Sequence, residues 1–135
     1  MEDIVTFELA KKLKEKGFPQ SPDYFNYSSY YDWDGLRKIH SLSNASVWFD
    51  PNISKDNIYF APTISQVLKW LREEKKIYVS ITYSPKIENF QDFYYATIQY
   101  IGDYQKTSYT NGNDNYDNWE EAALNGIEYV LYNLI

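Results

Sequence analysis

Nineteen carboxylates, one histidine and no cysteine bound the chemistry open to this 135-residue chain. Without cysteine there is no disulfide framework, no thiolate metal site and no cysteine nucleophile. A single imidazole removes every site that needs two. His40 stands in Arg37-Lys38-Ile39-His40-Ser41, and a Ser–His–Asp set would have to be built on it. A nucleophilic serine of the hydrolase kind sits on a tight G-x-S-x-G turn, and no such run occurs. His40 therefore reads as a structural residue of a polar strand.

Paired carboxylates could act as acid and base on a glycosidic bond. Glu73, Glu74, Glu120 and Glu121 all fall where a helix end accounts for them, so no pair is singled out. The run Asn111–Glu121 is dense in oxygen ligands. An EF-hand loop needs glycine at its sixth position and a bidentate glutamate at its twelfth. Counted from Asn113, those positions hold Asn118 and Leu124, so the run reads as a polar turn leading into a capped helix. Asp32-Trp33-Asp34-Gly35 is a shorter version of the same pattern and reads as a turn. Five glycines in all supply neither a G-x-G-x-x-G fingerprint nor a Walker loop. The expectation is a chain with no catalytic residue, no cofactor and no metal.

Charge and composition narrow the partners. A net charge of −6 opposes general nucleic-acid binding, which depends on neutralising phosphates. No apolar run approaches the roughly 20 residues that span a bilayer. The opening Met1-Glu2-Asp3-Ile4 lacks the basic-then-apolar pattern of a secretory signal, so a cytoplasmic location is expected. Twenty-six of the 135 residues are aromatic, 15 of them tyrosine, which argues for an ordered chain. Tyr24, Tyr27, Tyr30, Tyr31 and Trp33 are interleaved with Ser, Asn and Asp. Tyrosine and tryptophan are enriched at binding hot spots. These five are the candidate interaction surface, for a protein partner or, alternatively, for a sugar or other small ligand.

The elements that must carry these residues are legible in part. Thr6 caps a first helix whose stripe is Val5, Leu9 and Leu13. Gly17 supplies a left-handed end, and Phe18 folds back on Leu13. Short strands are expected at 36–42, 46–49 and 58–60. Thr63 and Gln66 form a capping box for a second helix reaching Glu74. Its buried face is Ile64, Val67, Leu68 and Leu71, with Trp70 on the flank. Ile77, Val79, Ile81 and Tyr83 alternate with polar residues, which predicts a strand with one buried face. Strands at 93–101 and 104–109 follow. Asp117 and Glu120 form the box of a last helix, in which Gly126 marks a close approach to the sheet. The fold class is α+β: an N-terminal helix, an irregular short-strand segment, then helix, three-stranded antiparallel meander, helix. The helices pack on one sheet face. The expected organisation is one domain, with an N-terminal helix at 1–18, an aromatic-rich segment at 19–60 and an α-β-β-β-α core at 61–135. Double-stranded RNA-binding domains share this core order, but they need a basic start to the last helix, where this chain has Asp117, Glu120 and Glu121.

Three stretches carry a family resemblance: the opening Val5–Phe18 with its Lys16-Gly17-Phe18 end, Ala61-Pro62-Thr63-Ile64-Ser65-Gln66 leading to Trp70-Leu71-Arg72-Glu73, and Tyr116–Ala123 with its Glu120-Glu121-Ala122. Together they resemble a family of small proteins of gut bacteria and their phages or prophages, whose function is unknown. The resemblance leaves out residues 20–57. It implies a bacterial or phage accessory protein and brings no functional residue with it. The expected function is non-enzymatic: an intracellular protein-interaction or accessory role.

Overall fold

The computed structural model describes residues 4–20, 27–31, 37–41, 59–89, 91–102, 109–110 and 115–135, with the backbone alone described at 27–30, 37–41 and 109–110. The fold is α+β, and the chain divides into two compact units, Glu2–Thr63 and Ile64–Ile135.

In the first unit, helix α1 spans Phe7–Glu15. The extended Thr6 starts it, its hydroxyl accepting from the Leu9 N–H at 3.3 Å. Leu9, Ala10 and Leu13 are the buried stripe. The helix ends in a complete Schellman motif. The Phe18 N–H donates to the Leu13 carbonyl at 2.9 Å and the Gly17 N–H to that of Lys14 at 3.2 Å. Gly17 sits at φ +95°, a conformation in which a Cβ is costly. The buried Phe18 ring stacks on Phe60 at 6.0 Å.

Strands β1 (Tyr27–Tyr31) and β2 (Arg37–Ser41) pair antiparallel from Tyr31↔Arg37 to Tyr27↔Ser41. Strand β3 (Tyr59–Phe60) joins the other edge of β1, so the order is β2-β1-β3. Helix α1 packs against β3. The Gln20 amide ties the end of α1 to that strand: its Oε1 accepts from the Phe60 N–H at 2.8 Å and its Nε2 donates to the Phe18 carbonyl at 3.1 Å. The expected strands at 36–42 and 58–60 are present at these shorter lengths. The one at 46–49 lies outside the described residues. Strand β1 is additional: Tyr-Ser-Ser-Tyr-Tyr shows no apolar–polar alternation, and pairing on both sides makes it the centre of the sheet.

The second unit has the expected helix–meander–helix order. Helix α2 spans Ile64–Glu74, followed by β4 (Ile77–Ser84), β5 (Phe93–Tyr100), β6 (Tyr109–Thr110) and α3 (Trp119–Asn133). The sheet order is β4-β5-β6, antiparallel throughout. Both helices pack on β4 and α3 also on β5. Lys76 takes a left-handed conformation, φ 58°, between α2 and β4.

The buried face of α2 is Ile64, Val67, Trp70 and Leu71, and Leu68 is only half-buried. The stripe is thus rotated toward Trp70, whose larger apolar area gains more from burial than that of Leu68. Helix α3 is capped by Asn118 and not by Asp117. The Asn118 side-chain oxygen accepts from the Glu121 N–H at 2.8 Å. Asn caps as well as Asp, and moving the cap by one residue brings Glu121 to the third helical position. Ala122, Ala123, Gly126, Ile127, Val130 and Leu131 are buried along α3. Gly126 is a true close approach: a Cβ there would lie 3.0 Å from the Ala96 Cβ and 3.1 Å from a Val79 methyl.

Candidate functional site

The meander is longer than the layer that covers it. Along the inner face of β4, Ile77 and Val79 are buried, Ile81 is half-buried and Tyr83 is 48 % exposed. The expectation of a buried face through Tyr83 fails at its last residue, because helix packing on β4 stops short of that end of the strand. The register places Tyr83 opposite Tyr94 on this uncovered end, with ring centroids 5.1 Å apart and a tilt of 49°. On the other face Phe93 and Tyr95, two residues apart, hold their rings at 6.0 Å. Ile87, in the connection from β4 to β5, is 61 % exposed. Four rings and one aliphatic side chain therefore surround a single end of the sheet.

Polar groups gather at the same end. The Tyr83 hydroxyl donates to Asp92 Oδ2 at 3.0 Å. That bond, more than any other contribution, raises the Tyr83 pKa above the ordinary tyrosine value of 10.0, since losing the proton would set a phenolate beside a carboxylate. Asp92 also lines a shallow cavity of about 180 Å³ together with Gln91, Phe93, Asn115 and Asp117. Beside it, Tyr94 and Tyr116 exchange two backbone hydrogen bonds, 2.8 and 2.9 Å, which fasten the segment before α3 to β5. Asp117, released from capping, is exposed and free to line the cavity. A ring wall with carboxylates and carboxamides offers stacking, cation–π attraction and hydrogen bonding.

Of the five residues expected to form an interaction surface, three fall among the described residues. Tyr24 and Trp33 lie outside the described residues. Tyr27 and Tyr30 stand in β1, opposite Ser41 and Lys38 respectively. Tyr31 is half-buried, its hydroxyl donating to the Val5 carbonyl at 2.7 Å and its ring edge-on to Phe7 at 5.5 Å. His40 stands in β2, opposite Ser28. The open end of the meander was missed because strict alternation assigns Tyr83 to the core. The signal that could have found it is length: an eight-residue strand rises roughly 26 Å, while an eleven-residue helix covers roughly 16 Å.

Among the described residues no three or more His, Asp or Glu side chains are placed to hold a metal ion, and no helix is long and apolar enough to cross a membrane. No protein-family model, curated protein or solved structure matches the chain.

Proposed function

We propose that this protein is a non-enzymatic interaction module that binds a partner protein through the open end of its second sheet. It would serve as an accessory protein in the cytoplasm of a bacterium or of a phage-infected cell, as the family resemblance implies. The observation that carries the reading is the concentration of accessible apolar surface at one place, with Tyr83 48 % and Ile87 61 % exposed beside Phe93, Tyr94 and Tyr95. Contiguous apolar surface ringed by polar groups marks association sites, and aromatic residues dominate their energetics. The second reading is a sugar or other small ligand. It is favoured by the half-buried Phe93 ring beside the carboxylates and carboxamides of the cavity.

The test is capture of the tagged chain from a lysate of a gut-bacterial host, run beside a Tyr83→Ser/Ile87→Ser double variant. Both positions are exposed, so the variant should melt within a few degrees of the parent. The expected result is one protein recovered in stoichiometric amount with the parent and lost with the variant. Identical recoveries from both chains would remove the site. A thermal-shift screen of mono- and disaccharides decides for the second reading if a sugar raises the melting temperature of the parent.

A further inference from the structure

The backbone of β4 has two sides, and among the described residues only the one facing β5 is paired. The Ile101 N–H donates to the Lys76 carbonyl at 2.8 Å, one step beyond the Ile77↔Tyr100 pair. Hydrogen-bonded and non-hydrogen-bonded pairs alternate in an antiparallel ladder. Tyr78, Ser80, Thr82 and Ser84 therefore bond inward to β5, and Ile77, Val79, Ile81 and Tyr83 turn their N–H and C=O groups away from it. The opposite strand agrees, for Tyr94, the partner of Tyr83, gives its N–H and C=O to Tyr116. Among the described residues no hydrogen bond satisfies the outward groups of Ile81 and Tyr83. Ile77 and Val79 are buried, so the accessible part of this edge is the stretch from Ile81 to Ser84.

Natural edge strands are protected by lysine, proline, bulges or brevity. Ile77-Tyr78-Val79-Ser80-Ile81-Thr82-Tyr83-Ser84 carries no charge and no proline and pairs with β5 across all eight positions without a bulge. A row of outward amides and carbonyls is matched by another extended chain. The side chains next to this edge set the charge of that chain. Asp92 is held against Tyr83 and Glu88 is in the connecting turn, against which stands Lys86, while Asp117 lies beyond β5 on the side away from this edge and plays no part. Lysine or arginine on an added strand would meet carboxylates and the Tyr83–Tyr94 rings.

We infer that Ile81–Ser84 is an open sheet edge that takes up an extended, basic segment of the partner protein as an added strand. The inference rests on the interaction reading above and specifies its geometry.

The probe is a phage-displayed library of ten-residue peptides, selected on the full chain. Selected peptides should alternate β-branched or aromatic residues with polar ones and carry lysine or arginine. In the free chain the Ile81 and Tyr83 amides should exchange with solvent faster than that of Thr82. A bound peptide should slow those two by about tenfold or more. Tyr83→Pro deletes an outward donor and spares the β4–β5 ladder, so it should abolish peptide binding. Tyr83→Val keeps the donor but loses the ring, so it should bind more weakly than the parent yet measurably, where the proline variant does not bind.

Equal losses in the proline and valine variants, or binding without amide protection, would overturn strand addition and leave the interaction reading intact. Because the exchange experiment uses the unmodified chain, it decides even if the proline variant fails to fold. Self-association of the parent that Tyr83→Pro abolishes would assign the edge to a second copy and overturn the basic partner. A library without binders, together with an empty lysate capture, would overturn both readings.

Discussion

The Tyr31 hydroxyl and the Val5 carbonyl oxygen are 2.7 Å apart, and this bond fastens β1 to the entrance of α1. The Val5 N–H is spent as well, donating to the Pro62 carbonyl at 3.0 Å. One buried residue therefore joins three stretches distant in sequence, the helix start, β1 and the segment after β3. Replacing Tyr31 with Phe should keep the edge contact with Phe7 and remove the bond. The expected cost is about 1 kcal/mol, read as a lower urea midpoint at unchanged slope.

Asn118 and Asp117 offer a comparison between neighbours. Asn118→Ala should destabilise the chain by about 1 kcal/mol, since the Glu121 N–H loses its acceptor. Asp117→Ala should change stability by less than about 0.5 kcal/mol, because its side chain is exposed and caps nothing. Thermal unfolding of the two variants in parallel checks both.

Gly126→Ala sets two effects against each other. Alanine gains about 1 kcal/mol in helix propensity, while overpacking costs about 1–3 kcal/mol. The nearest obstacle is the Ala96 Cβ, which has no rotamer through which to move aside. Overpacking should win, leaving a net loss of about 1 kcal/mol in denaturant unfolding.

Tyr83 should titrate above the ordinary tyrosine value of 10.0, and Asp92→Ala should bring it back toward that value. Resonance of the ring carbon bearing the hydroxyl separates this tyrosine from the other fourteen. The sign follows from proton binding. Above pH 10 the folded chain keeps a proton here that the unfolded chain has lost, so this group's contribution to stability holds below that pH and falls as pH rises beyond it.

What the sequence discloses depends on how local the signal is. The α1 boundaries follow from Thr6 and Gly17 because a cap and a left-handed stop act within a turn of the residues that make them. The close approach at Gly126 is legible because few other reasons put glycine inside an apolar helix. The Trp70 burial and the Tyr83 exposure are not legible, since both depend on where one element stops covering another. A period-two pattern assigns Tyr83 to a face but does not say how far along β4 that face stays covered. The strand role of Tyr27–Tyr31 has no local signature either, because its two neighbours come from residues 37–41 and 59–60.

Gly126 and Ala96 fill one shared space from opposite sides of the helix–sheet contact. In evolutionary terms they behave as a single coupled site. A methyl can pass from the strand to the helix only if Ala96 first becomes glycine, because the reverse order passes through a crowded intermediate. Descendants of this chain should therefore conserve the summed size of the two residues more strictly than the identity of either, and the pair should show as a covarying couple in any set of diverged relatives.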